Sequence, residues 1–337
     1  MNAQLKPQPR QPRLGFLGVG WIGRQRMQVL ADSGVATVAA IADSHQAALD
    51  EAVACAPDAR VAHDLDELLS TPDLDGVVIA TPSGAHARQS IQALEQGLAV
   101  FCQKPLTRTA AEAEAVMAAA RRADRLVDVD FSYRCVAGMP ELRRLVQAGE
   151  LGDIYGIDLV FHNAYGPDKD WFYDISRSGG GCVMDLGIHL LDLATWVTGS
   201  RGADLIDAKL FAQGRALDRP VQEVEDYASV QWRLDTGACA RMACSWRLPA
   251  GCDAVIEASF YGTRGGAAMR NVDGSFYDFK VDRFDGTARH SLATPPDAWG
   301  GRALVDWARR LAEGSGYDAG SEPLVDTARL VDRIYGR

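Results

Sequence analysis

The 337-residue sequence predicts a two-part fold: an N-terminal α/β domain with a doubly wound parallel sheet, then an α+β domain with a large open antiparallel sheet. Three observations carry that expectation. Short apolar runs alternate with helix-length stretches over the first third of the chain. A glycine-rich turn joins the first run to the first helix, and after about residue 150 the hydrophobic pattern changes to strict alternation.

The strand-like runs of the first part are Leu14–Leu17, Val35–Ala42, Gly76–Ala80, Leu98–Cys102 and Leu126–Phe131, each closed by a turn residue or a helix cap. Ala85–Glu95 reads as a helix closed by Gly97, and Ala110–Arg122 as one opened by the capping box Thr109-x-x-Glu112. Strands separated by helices imply right-handed crossovers and a parallel sheet covered on both faces. In the second part, Tyr227–Leu234 sets Ala228, Val230, Trp232 and Leu234 against Tyr227, Ser229, Gln231 and Arg233. The run from Cys239 to Leu248 repeats the alternation, with Asp235-Thr236-Gly237 between the two as a hairpin turn. Strands are also expected at Ala254–Tyr261 and Ser275–Val281, and closing helices at Arg302–Glu313 and Pro323–Tyr335. Residues 1–12 read as a loose polar tail with no signal peptide, 13–133 as the parallel-sheet domain and 134–321 as the open-sheet domain.

Composition narrows the function classes. A net charge of −10 and the lack of any Lys/Arg run longer than two residues argue against nucleic acid or an anionic membrane as partner. No run approaches the roughly 18 apolar residues of a membrane-spanning helix. The seven cysteines show no metal-ligand spacing, so no metal is expected and they read as reduced thiols in a cytoplasmic protein. Only five of the 35 basic residues are lysines: Lys6, Lys104, Lys169, Lys209 and Lys280. A chain that uses arginine elsewhere has kept lysine where a removable proton is useful.

The turn Gly18-Val19-Gly20-Trp21-Ile22-Gly23 has the spacing that a dinucleotide fingerprint needs. Glycine serves there for a tight turn, for close approach of backbone N–H groups to a pyrophosphate, and for close helix–strand packing. Twenty residues after Gly23, Asp43 ends the second strand, where a carboxylate accepts from ribose hydroxyls and repels a 2′-phosphate. NAD is therefore expected over NADP, with Arg24 as the one nearby cation that could tolerate a phosphate.

Ligands of an open parallel sheet bind beyond the carboxyl ends of its strands. Two such ends stand out, Thr81-Pro82-Ser83 and Gln103-Lys104-Pro105. A third element begins at Gly179-Gly180-Gly181 and continues as a helix, in which Asp185, His189, Asp192 and Trp196 share a face at α-helical spacing. A carboxylate one turn from a histidine fixes its tautomer and stabilises its charged form.

These elements, with Tyr133-Arg134, resemble the glucose–fructose oxidoreductase / inositol dehydrogenase / MocA family over nearly the whole chain. The resemblance implies a Rossmann domain followed by an open-sheet domain used for homodimer or homotetramer contacts. It also implies that the closing helix, residues 322–336, packs back on the nucleotide domain. It makes Lys104, Asp185 and His189 the catalytic set. The cofactor contacts expected are Gly18, Gly20, Trp21, Ile22, Gly23, Asp43, Thr81, Pro82, Gln103 and Lys104. Those expected for substrate are Lys104, Arg134, Asn163, Asp185 and His189. The residue before the lysine is usually glutamate in that family, and here it is Gln103.

The activity so implied is hydride transfer between a secondary alcohol of a sugar, cyclitol or related polyol and NAD. His189 is expected as general base, held by Asp185, with Lys104 binding the reacting oxygen. In the alternative assignment Lys104 takes the proton and His189 positions the hydroxyl. Two other readings of the chain are a non-catalytic dinucleotide sensor and a redox-assisted glycosidase or lyase that regenerates NAD in each turnover.

Overall fold

The structure, a computed structural model, describes residues 11–337; all but the last two residues of the expected tail lie outside the described residues. Strands β1 (Arg13–Leu17), β2 (Thr37–Ala42), β3 (Arg60–Ala62), β4 (Gly76–Ile79), β5 (Ala99–Cys102) and β6 (Val127–Val129) form one parallel sheet in the order β3-β2-β1-β4-β5-β6. Helices α1 (Trp21–Ser33), α2 (Gln46–Cys55), α3 (Leu65–Leu69), α4 (Ser83–Glu95) and α5 (Ala110–Ala123) connect them. The strand order reverses between β1 and β4, which is where an open sheet of this kind leaves a crevice for a dinucleotide. Strands β4 and β5 are buried along their whole length, which explains their unbroken apolar runs. Three-residue β3, with two of its residues exposed, carries too little pattern to be read in advance.

The second half adds α6 (Met139–Gln147), β7 (Ile154–Asn163), the short α7 (Ile175–Ser178) and α8 (Ile188–Thr198). Strands β8 (Ala203–Ala212), β9 (Arg215–Ala216), β10 (Tyr227–Leu234), β11 (Cys239–Ser245), β12 (Ala254–Gly262), β13 (Gly266–Asn271), β14 (Phe279–Asp285) and β15 (Ala288–Ala293) follow. Together with β7 they make a nine-stranded sheet, antiparallel except for the pair of β7 with β11. In β10 the residues Ala228, Val230, Trp232 and Leu234 are buried against the helices, as their alternation predicts. The strand expected from Ser275 begins only at Phe279, because the Ser275 hydroxyl accepts from Tyr277 N and Asp278 N and closes a turn.

Helix α9 (Arg302–Ala312) returns to the parallel sheet, where Trp307 meets Phe101 at a ring distance of 5.7 Å. Helix α10 (Pro323–Tyr335) lies between α5 on one side and α8 with β8 on the other. One apolar core runs from one face of the parallel sheet through α5, α6, α8 and α10 to the inner face of the nine-stranded sheet. That continuity fixes the two halves against each other, and the crevice of β1 and β4 faces the beginning of α8.

Candidate active site

Between the two sheets lies a cleft of about 760 Å³, lined by both halves of the chain. Its nucleotide end is built by the glycine turn. A Cβ on Gly18 would meet the Ala80 carbonyl at 2.6 Å and one on Gly23 would meet Gly18 O at 2.1 Å, so both positions admit only hydrogen. Gly20, by contrast, has no described residue within 4 Å of its missing Cβ and lines the cleft with Trp21 and Ile22. Helix α1 starts there with no side-chain cap and no acid in its first turn. Its first N–H groups are left for an anion at the positive end of the helix, and this cradle fits a dinucleotide pyrophosphate. Gly18 and Gly23 stand behind the lining as packing residues.

Asp43 lies outside the cleft lining. Its carboxylate accepts from Val19 N (2.8 Å) and His45 N (2.9 Å), bracing the glycine turn while keeping acceptor capacity for a hydroxyl. Arg24, the nearby cation, is paired with Glu51.

Thr81 and Pro82 follow β4, and Gln103 and Lys104 follow β5. Buried His86 of α4 pins both loops, contacting Thr81 O at 2.7 Å and Pro105 O at 2.8 Å. Both partners only accept and so favour the imidazolium, yet burial is the larger influence and pushes the pKa of His86 down. The Lys104–Pro105 peptide is cis.

Lys104 reaches the base of the cleft, where its Nζ donates to Asp185 Oδ1 (2.7 Å) and to the Asp185 carbonyl (2.8 Å). Trp246 Nε1 donates to the other carboxylate oxygen at 3.0 Å. Asp185 is thus held to Lys104 and Trp246. It does not hold His189, contrary to the expected pairing. The reason is local geometry. Val183–Gly187 forms one π-helical turn ahead of α8, and that wider turn takes Asp185 off the face that α-helical spacing assigns it with His189, Asp192 and Trp196.

The turn is anchored by buried Glu225, which accepts from Gly181 N and Val183 N (2.9 Å each) and from the Tyr335 hydroxyl (2.8 Å). Gly181 is obligatory, since a Cβ there would lie 1.8 Å from Glu225 O. The glycine run therefore serves close approach of the chain around residue 225, and burial pushes the Glu225 carboxyl pKa up.

His189 lines the cleft but is buried among rings, edge-on to Tyr133 at 4.9 Å and to Phe131 at 6.1 Å. Its Nδ1 is buried with no partner among the described residues, which leaves Nε2 as the nitrogen open to the cleft. Burial first, then the charges of Lys104 and Arg26, hold its pKa well below the ordinary histidine value. His189 is a neutral imidazole.

Arg134, expected at the substrate, is not in the cleft. It makes a bidentate pair with buried Asp192 and lies over the rings of Phe131 and Trp196. Asn163 does line the cleft, at the end of β7, with Oδ1 accepting from Tyr165 N (2.8 Å). Several lining groups were not anticipated: Arg26, Asp130 and Ser132 beneath Gln103, and Trp299, which stacks on Tyr133 at 5.2 Å. Asp130 carried a readable signal, an acid directly following the strand Val127–Val129 at the carboxyl end of the parallel sheet.

Residues 13–131 match the family model described as an oxidoreductase family with an NAD-binding Rossmann fold, and residues 139–268 match the GFO/IDH/MocA C-terminal domain. The chain belongs to the Gfo/Idh/MocA oxidoreductase family. Curated relatives within the reach of this family include an inositol 2-dehydrogenase of Rhizobium meliloti, 28% identical with 77% of this chain and 76% of the relative covered. An inositol 2-dehydrogenase of Mycolicibacterium smegmatis is 29% identical, with 95% and 97% covered. A D-glucoside 3-dehydrogenase of Escherichia coli is 28% identical over 63% of each chain. Among solved structures, an aldose-aldose oxidoreductase from Caulobacter crescentus complexed with glycerol superposes with a TM-score of 0.82 at 23% identity, covering 97% of both chains. A levoglucosan dehydrogenase in complex with NADH and levoglucosan gives 0.81 at 20% identity, covering 96% of both. These likenesses show the fold, and membership of the Gfo/Idh/MocA family makes the chain an NAD-binding oxidoreductase. Among the described residues, no helix is long and apolar enough to cross a membrane.

Proposed function

We propose that this oxidoreductase is an NAD-dependent dehydrogenase acting on a secondary hydroxyl of a neutral sugar, cyclitol or related polyol. The observation that carries the reading is the convergence of Lys104 Nζ and His189 Nε2 on one cleft whose other end is the glycine turn. Bound NAD supplies the acceptor for the hydride that leaves the substrate carbon.

The residues divide the remaining work. Two of the three Nζ positions of Lys104 point at Asp185, and the third is left for a substrate oxygen. In the neutral amine that position is a lone pair, which takes the hydroxyl proton. In the ammonium form it is an N–H, which stabilises the oxyanion or returns the proton in the reverse direction. Leaving a buried N–H unpaired is costlier than leaving a bare lone pair, so the imidazole proton of His189 sits on Nε2 and donates to the same oxygen. On this reading the alternative assignment is preferred. Lys104 moves the proton and His189 positions the hydroxyl.

Charge supports a neutral substrate. Among the described residues, each cation that lines the cleft is already paired: Lys104 with Asp185, Arg26 with Asp130, and Lys169 with Asp168. The stacked rings of Trp171 and Phe172, 3.8 Å apart, offer a surface for the C–H face of a sugar, and Asn163 a hydrogen-bonding amide. The names of the curated relatives agree with this class.

NAD is favoured over NADP because Asp43 is an anion at the ribose position and Arg24 is committed to Glu51. Purified protein incubated with neutral sugars, cyclitols and sugar acids should form NADH from a neutral member, with kcat/KM for NAD at least about tenfold above NADP. NADH binding without turnover would point to a sensor. Substrate conversion without accumulation of NADH would point to redox-assisted lyase or glycosidase chemistry.

We read the exposed face of the nine-stranded sheet, which carries the pairs Arg241–Asp158 and Arg270–Glu257, as the contact surface of a homodimer or homotetramer. A solution mass of two or four times 36.3 kDa is expected, and a monomer would overturn this reading. The seven cysteines are all free, including Cys182 and Cys244 with sulfurs 3.8 Å apart, which supports a reducing, cytoplasmic setting. Seven titratable thiols in denatured protein purified under non-reducing conditions are expected, and fewer would contradict it.

A further inference from the structure

We propose that Arg26, Asp130 and Ser132 are positioning residues that turn Gln103 into a one-directional acceptor for a hydroxyl of the bound dinucleotide on its nicotinamide side.

The argument starts from the sense of each hydrogen bond. Asp130 is 1% exposed and receives three donors: Arg26 Nε at 2.6 Å, Ser132 Oγ at 2.6 Å and Gln103 Nε2 at 2.6 Å. Arg26 Nη2 also donates to Ser132 Oγ at 3.0 Å, which closes the network. A carboxylate paired with a guanidinium is acceptor-only, so the Gln103 amide must present its nitrogen to Asp130. The amide is thereby prevented from flipping. Its carbonyl Oε1 has no partner among the described residues and is not among the buried unpartnered atoms, so it opens onto the cleft beside Lys104. A side chain that would otherwise offer either a donor or an acceptor is fixed as an acceptor.

The network also accounts for the neutral residue in front of Lys104. With Asp130 2.6 Å away, a glutamate at position 103 would bury two carboxylates in hydrogen-bond contact beside a single arginine. The negative charge has been moved one hydrogen bond back from the cleft, and Gln103 passes its acceptor character forward. Arg26 is itself on α1, three residues after Gly23, so the network ties the nucleotide helix to both the β5 and β6 strand ends.

This inference rests on the proposed use of NAD, and the test separates the two. The dissociation constant for NADH is measured by fluorescence titration, with thermal unfolding recorded for each protein. Gln103→Ala removes the acceptor and leaves the Arg26–Asp130 pair intact. It should weaken NADH binding about tenfold with little change in Tm. Gln103→Glu should weaken binding at least about tenfold and lower Tm, through like-charge contact. Asp130→Ala frees the amide and should also weaken binding, and the double variant Gln103→Ala/Asp130→Ala should bind NADH within about threefold of Gln103→Ala alone, where independent losses would instead accumulate. Parent-like binding by Gln103→Ala, or a double variant more than about threefold weaker than Gln103→Ala, would overturn the inference. Failure of the parent protein itself to bind NADH would overturn the functional reading and this inference with it.

Discussion

Replacing Lys104 by methionine is expected to lower kcat by roughly 10⁴-fold while changing the dissociation constant for NADH by less than about threefold. The size of the effect follows from the position of Nζ. The same atom carries the proton and stabilises the oxyanion, and each role alone is worth about 10²-fold or more. Methionine keeps the length of the stem and removes both. NADH should still bind, because the pyrophosphate cradle at Gly20–Ile22 and the acceptor at Gln103 are built by other residues. The fold should survive as well, since Asp185 keeps its bond from Trp246 Nε1 and its place in the π-turn anchored by Glu225. Steady-state rates and an NADH titration on one preparation make the measurement. Unchanged kcat would remove Lys104 from the chemistry, and loss of NADH binding together with kcat would make it a cofactor ligand only.

His189→Ala is expected to cost about 10²-fold in kcat, the usual effect of removing one donor from a developing oxyanion. Its pH behaviour distinguishes the role. Because burial and the nearby cations Lys104 and Arg26 hold the His189 pKa well below the ordinary value, the imidazole is neutral at pH 6.5 and above and protonates only as pH falls far below that. Nitrogen-15 NMR of the histidines should show His189 as the neutral tautomer with its proton on Nε2 at pH 6.5. The kcat/KM profile should have no inflection at the ordinary histidine value. An imidazolium at pH 6.5, or an acid limb there that disappears in His189→Ala, would instead make His189 the general base.

The fold was legible wherever local pattern and global packing agree. The alternating runs at β10 and the continuous apolar runs at β4 and β5 face the environments their periodicities demand. The scarcity of lysine drew attention to Lys104, which lies against the Asp185 carboxylate at the base of the cleft. Lys169 sits exposed at its rim beside Asp168, and Lys209 is exposed on β8 beside Asp207. What the sequence hid depends on contacts between distant segments. The Arg26–Asp130 pair spans 104 residues and the Glu225–Tyr335 bond 110. The pairing of Asp185 with Lys104 instead of His189 turns on a single π-helical turn, which no i, i+4 reading of the segment anticipates. Arg134 shows the converse failure. An arginine beside a site is readily taken for a ligand contact, whereas buried Asp192, an acid on the inward face of α8, had to be matched by a cation.

The central claim is that the reaction occurs in the gap between Lys104 and His189, and a crystal structure with NADH bound tests it most directly. The account predicts the nicotinamide ring beside that gap, with Lys104 Nζ still on Asp185 and its free position, together with His189 Nε2, facing the reacting edge of the ring. A nicotinamide bound elsewhere in the cleft, or Lys104 swung out to bulk solvent with the cofactor in place, would contradict it.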